Sequence, residues 1–411
     1  MNERTALPRK VLSQRTDRQF MIMKKSSFLF LGFFLLSLSG VGQTVMVHVT
    51  NPVDLNRRDL AEFPAKEVYA KLGVAQGTPI LVKNADGVEV PSQLTYDGLL
   101  LVQSMAHPLE TERYEITVGQ PQKYRNDVSG RVYPERRDDL GWENDRNAWR
   151  LYGPDLRRDN PHGIDCFTKN QPAPSLDSLY QGLFKNKVSY HEDHGLGMDA
   201  YTVGPTLGCG APALMRGDSL LYSIVYDEVE ILDNGPLRFT ARLTYRHEEG
   251  FTETRLIRQD RGSHLVRCEV TYKGISGKTD VVSGLVVHKD NPHAYIINKK
   301  NQYVAYADNI SSPKTRNGQL YVACLYPEKM SKLEYLPLEK EVSMGIGHVI
   351  GRKPYTDGET FVYYFGSGWS GYDVPSMNVW ETLLKDYKVL LQEPLKVDCG
   401  VALKEPLNLK F

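Results

Sequence analysis

Apolar and polar residues alternate at period two along most of the chain. Residues 44–50, TVMVHVT, do so, as do 220–250, LLYSIVYDEVEILDNGPLRFTARLTYRHEEG, around an Asn234-Gly235-Pro236 turn. The stretch 252–274 reads as a hairpin around Asp260-Arg261-Gly262-Ser263. Shorter runs at 281–289 (VVSGLVVHK), 320–326 (LYVACLY) and 360–369 (TFVYYFGSGW) have the length and the Val, Tyr and Thr content of strands. Helical spacing is rare. It is clearest in VPSMNVWETLLKDYKVLLQEP, residues 374–394, which stops before Pro394. Many strands with turn punctuation and one late helix predict an all-β antiparallel sandwich with few helices.

Composition leaves that picture intact and removes several function classes. Lys plus Arg (50) equals Asp plus Glu (50), so no net field draws the chain to nucleic acid. There is no Walker loop, no Rossmann fingerprint and no G-x-S-x-G elbow. The five cysteines are scattered with no C-x-x-C pair, which argues against a cysteine zinc site and for buried free thiols. The segment from Met23 to Gln43, MKKSSFLFLGFFLLSLSGVGQ, is charged, then apolar, then small. That order is a secretory signal, and its apolar run is too short for stable membrane insertion. The expected organisation is a leader and signal over 1–43, β-strands over 44–120 belonging to the same sandwich, and a carbohydrate-active domain over 121–411, located in the periplasm.

Two stretches are denser in charge, aromatics and glycine than folding requires. ERRDDLGWENDRNAWRLYGP, residues 135–154, offers Arg146 and Arg150 as forks for a carboxylate, with Glu143 and Trp142 beside them. If NAWRLYG is a strand, Trp149 and Leu151 share one face, and Arg150 and Tyr152 the other. Trp142, Tyr201 and Trp369 are candidate sugar platforms; the alternative for this stretch is an ion-pair network that ties a loop to a sheet. SYHEDHGLGMDAYTVGPTLGCG, residues 189–210, gathers His191, His194 and Asp199 ahead of Gly204, Gly208 and Gly210. Three readings fit: an acid/base site, a divalent metal (calcium or zinc) held by His191, His194 and Asp199, or a loop held by its own hydrogen bonds. His288 and His348 end apolar runs, a position more often filled by a core histidine than by a catalyst.

VTNPVDLNRRD, GRVYPERRDDLGWENDRNAWRLYGP, YHEDHGLGMDAYTVGPTLGCG and NGPLRFTARLTY resemble the family called domain of unknown function 4861. The resemblance implies a galactose-mutarotase-like β-supersandwich and exported proteins of polysaccharide breakdown, among them dehydratases of uronate-bearing ulvan oligosaccharides. It supplies no agreed catalytic residues, and fold alone does not choose a reaction. Together these readings point to a lyase or dehydratase acting on an oligosaccharide substrate. In that scheme Arg146 or Arg150 neutralises the uronate, His191 or His194 is the base, and Tyr190 or His288 is the acid. A non-catalytic sugar-binding protein, a hydrolase and an epimerase are the alternatives.

Overall fold

The computed structural model describes residues 43–311 and 316–403. All but the last residue of the secretory segment therefore lies outside the described residues. The core is a sandwich of two antiparallel sheets. One sheet has eight strands, in the order Glu228–Asn234, Arg238–Arg246, Thr252–Asp260, Leu265–Lys273, Thr360–Trp369, Gln319–Leu325, Tyr303–Asn309 and Tyr295–Asn298. The other has five, in the order Ser219–Tyr222, Cys209–Arg216, Thr279–His288, Gly345–Tyr355 and Lys332–Val342. The Asn234 turn pairs Asn234 with Phe239, and the second hairpin pairs Gln259 with Val266. Burial along Thr252–Asp260 alternates strictly, although its inward side chains are Glu253, Arg255, Ile257 and Gln259, so here the pleat and not an apolar alternation sets the buried face.

The two sheets share one apolar core containing Leu243, Ile257, Val281, Leu285, Val322 and Phe365. Tyr363 on the larger sheet donates across it to the Gly210 carbonyl on the smaller, at 2.7 Å. Strand Thr279–His288 is buried on both faces, which is why it reads as a nearly continuous apolar run. Its outer face is covered by the segment 199–208. Val286 N–H donates to the Gly208 carbonyl, and Leu207 N–H donates to His348 Nε2. The glycines of this cover are needed for its backbone path. Gly204, Gly208 and Gly210 all have positive φ, and a Cβ at Gly208 would run into the Ile164 carbonyl.

Three smaller sheets complete the fold. Thr44–Thr50 lies between Thr111–Val118 and the C-terminal strand Lys396–Leu403, with Ile80–Lys83 at the edge. Helix α1 (Ala65–Leu72) covers this sheet. Leu60–Pro64, Leu99–Gln103 and Ser92–Leu94 form the second small sheet; its Leu60 and Leu101 pack on Leu237. The third is Asp165–Phe167, Ala148–Leu151, Asp139–Glu143 and Ser129–Tyr133, backed by helix α2 (Leu176–Asn186). Helix α3 (Met377–Gln392), capped by Ser376, buries Trp380 and Leu384 against the outer face of the eight-stranded sheet. All five cysteines are free and buried. No helix among the described residues is long and apolar enough to cross a membrane.

Candidate active site

The hairpin Asp139–Glu143/Ala148–Leu151 sorts its side chains as a strand must. Trp149 and Leu151 enter the sandwich core, and Arg150 points the other way. There it meets Asp165, its cross-strand partner on the next strand. Arg150 Nη2 donates to Asp165 and, at 3.0 Å, to Asp199 Oδ2; Asp139 Oδ2 lies 3.9 Å from its Nε. One buried guanidinium thus faces three carboxylates. Burial pushes the Asp165 carboxyl up to about 7, with Asp199 adding to the rise and Arg150 opposing it. Burial likewise pushes Asp139 up to about 6 against the pull of Arg150. Tyr152 Oη donates to Asp165 Oδ2 at 3.2 Å and gives this carboxyl a hydroxyl partner nearer the surface.

Tyr190 sits over the same guanidinium. Its Oη accepts from Arg150 Nη1 and from Arg136 Nε, each at 3.3 Å. Two cations aimed at one phenol oxygen stabilise negative charge developing on it. The next residue, His191, lies with its ring centroid 4.5 Å from that of Tyr190. His191 Nδ1 is 2.9 Å from the Asp199 carbonyl oxygen, which can only accept, so Nδ1 carries the proton. Its Nε2 is then a free lone pair on a side chain that is 63% exposed. Asp199 Oδ2, 3.7 Å from Nδ1, is close enough to stabilise an imidazolium. His191 and the partly exposed Arg136 and Tyr152 form the outer surface of the cluster, and Tyr190, Arg150 and the carboxyls lie behind it. Such a set can hold an anion, take a proton and deliver one.

Folding gathers only some of the residues that sequence singled out. His191, Tyr190, Asp199 and Arg150 meet. His194 is exposed, its Nε2 4.0 Å from Glu192, and it does not join them. Asp193 holds the loop: its carboxylate accepts from Gly195 N–H, Gly197 N–H and the Asn170 amide. Glu143 is no substrate ligand. It is buried, pairs with Lys169, and accepts from Ser175 N–H and Leu176 N–H at the start of α2. Trp142 is fully buried between Trp149 and Phe239, so it cannot be a sugar platform. Trp369 is 8% exposed, with its indole bound to the Asn317 carbonyl, and Tyr201 is 5% exposed, with its hydroxyl on Gly208. These aromatics serve the core.

His288 is buried between Asp308 Oδ1, at 2.8 Å, and the Thr202 carbonyl, at 2.9 Å, with both ring nitrogens engaged. Arg146 lies at the turn of the hairpin, bound to Asp373 Oδ2 at 2.9 Å, and faces a different cavity. Among the described residues no three His, Cys, Asp or Glu side chains are grouped as metal ligands, so His191, His194 and Asp199 do not form the metal site their spacing allowed. Sequence reasoning assigned no role to Asp139, Asp165, Tyr152 or Arg136. The only signal for Asp165 was one acid inside the apolar run GIDCF.

Residues 49–397 match the family described as Domain of unknown function (DUF4861). The chain belongs to this family. The DUF4861 chain is also 29% identical over 283 residues to "Uncharacterized protein P7" of Formosa agariphila, covering 65% of this chain and 68% of that protein. Among solved structures it is similar to a glycosyl hydrolase family 38 protein from Enterococcus faecalis, at 9% identity and TM-score 0.48, over 86% of this chain and 47% of that one. It is also similar to the heparan sulfate lyase HepC of Pedobacter heparinus, at 10% identity and TM-score 0.33, over 62% and 38% of the two chains. The chain spans less than half the length of either solved structure.

Proposed function

We propose that this DUF4861 protein is a periplasmic carbohydrate-active enzyme that cleaves or dehydrates uronate-bearing oligosaccharides, such as ulvan fragments, by β-elimination. The observation that carries this reading is that His191, whose Nδ1 is engaged and whose Nε2 is free, has its ring 4.5 Å from that of Tyr190, a phenol held by Arg136 and Arg150. Elimination beside a carboxylate needs a cation to acidify the C5 proton, a base to remove it and an acid for the group leaving C4. Arg136 supplies the cation, because it is the partly exposed guanidinium. Arg150 is buried and already committed to Asp165 and Asp199. His191 Nε2 takes the C5 proton, the C5–H electrons form the C4–C5 double bond, and the C4–O bond breaks. The departing oxygen takes the Tyr190 proton. The imidazolium proton then passes through solvent to the Tyr190 phenolate, which restores both groups, and Asp199 stabilises the imidazolium meanwhile.

The test is a panel of uronate oligosaccharides incubated with the chain beginning at Gln43, followed by the ultraviolet band of unsaturated uronates. Wild type should form that band on at least one substrate. Arg136→Ala should raise KM and lower kcat together, and Arg136→Lys should restore little, since an ammonium cannot match the planar fork. Absence of unsaturated product across the panel, or full activity in Arg136→Ala, would overturn the assignment.

A further inference from the structure

The stretch that carries Asp199 has little to hold it. Residues 197–203 form no helix or strand, and among the described residues the Thr202 carbonyl is the only backbone group of 200–202 that is hydrogen-bonded. Its partner is His288 Nε2, at 2.9 Å. A carbonyl oxygen only accepts, so this Nε2 carries a proton. Nδ1 of the same ring lies 2.8 Å from Asp308 Oδ1, which fixes the plane of the imidazole. His288 ends strand Thr279–His288 of the five-stranded sheet, and Asp308 belongs to strand Tyr303–Asn309 of the eight-stranded one. The Tyr306 hydroxyl, on that second strand, accepts from the His288 N–H at 3.2 Å. Both sheets therefore grip this ring, and the ring grips the chain three residues from Asp199. Asp199 is in turn the residue whose carbonyl holds His191 Nδ1, at 2.9 Å.

We propose that His288 is a positioning residue for His191. The chain Asp308–His288–Thr202 sets the place of the Asp199 carbonyl, and that carbonyl sets which nitrogen of His191 bears the proton. The coupling runs along the backbone from Thr202 to Asp199, since His288 is hydrogen-bonded to neither His191 nor Tyr190. Without this anchor the backbone of 200–202 has no hydrogen bond, the Asp199 carbonyl moves off Nδ1, and His191 no longer keeps its lone pair on Nε2. The consequence for turnover rests on His191 being the base of the proposed elimination; the control of its tautomer does not.

The experiment is nitrogen-15 NMR of the histidine-labelled chain beginning at Gln43, recorded without substrate at about pH 8, above the ordinary imidazole range. Ring nitrogen shifts report which nitrogen is protonated, and His191→Gln assigns the signals. Wild type should show His191 protonated at Nδ1. His288→Leu should turn it into a mixture with the Nε2-protonated form. On a substrate that gives unsaturated product, the same variant should lower kcat by roughly 10–100-fold with KM little changed. Asp308→Asn should keep the wild-type His191 signals, because its amide still partners His288 Nδ1. Leu285→Ala empties a core site on the same strand and leaves the His288 bonds in place; it should lower stability without moving the His191 signals. If His288→Leu does not fold, His288→Asn replaces it, a side chain too short to span Asp308 and Thr202, and the mixture should appear there. A folded His288→Leu or His288→Asn with the wild-type His191 tautomer, or an equal shift in Leu285→Ala, would overturn the proposal. Failure of wild type to form unsaturated product sinks the elimination reading alone, because the tautomer is read without substrate.

Discussion

Replacing Arg150 with Met tests how the cluster is held together. The side chain is buried, and methionine keeps its unbranched stem while removing the guanidinium, so the main change is loss of one charge facing Asp165, Asp199 and Asp139. Removing one member of a buried ion network leaves the others uncompensated, at a cost of about 3–5 kcal/mol. The cost should depend on pH, with a definite sign. Asp165 and Asp139 already bind protons more tightly in the folded chain than in the unfolded one, and Arg150 is the influence that opposes this. Without it both carboxyls hold protons to still higher pH. A folded-state carboxyl with a raised pKa gives stability that is present below its unfolded value and lost as pH rises through the folded value. Arg150→Met should therefore be mildest near pH 4–5 and most destabilising near pH 8. Urea unfolding at both pH values reads this directly, and Asp165→Asn/Asp199→Asn added to Arg150→Met should recover much of the loss. A loss under about 1 kcal/mol at pH 8, or the same loss at both pH values, would refute the claim that the network is held by this guanidinium.

His191→Ala and Tyr190→Phe should each lower the rate of unsaturated-product formation by roughly 10²–10⁴-fold with little change in thermal midpoint, the weight of a positioned proton-transfer group. His348 is buried with its pKa pushed from 6.5 to about 3 by burial and by His288. Since the unfolded chain binds the proton first, stability should fall as pH drops below about 6.5 and go on falling to about pH 3, and acid unfolding of His348→Gln should be shifted to lower pH. Trp142→Ala should cost about 3–5 kcal/mol in denaturant unfolding, the range for emptying a core aromatic site; a change in sugar affinity at unchanged stability would contradict its burial.

The linear sequence determined what depends on local spacing. Period-two alternation sets which face of a strand is apolar, so the hairpins at 234–238 and 260–265, the strands at 281–288 and 360–369 and the antiparallel class follow from the residues themselves. Ser376 and Pro394 bracket α3 for the same reason. Even the outward turn of Arg150 was legible, because side chains on one strand alternate by geometry. Tertiary structure decided everything that depends on contact between distant segments. Trp142 and Glu143 share a motif with Arg150, yet one is core and the other caps a helix, because neighbours from 175–176 and 239 occupy the space around them. Asp165 and Asp139 joined the site only when two further strands paired beside Arg150. The last strand lies beside the first, and arginines at 58, 146, 238 and 258 share one cavity. Spacing along the chain carries the first kind of information, but burial and charge pairing are sums over neighbours in space, which the order of residues does not state.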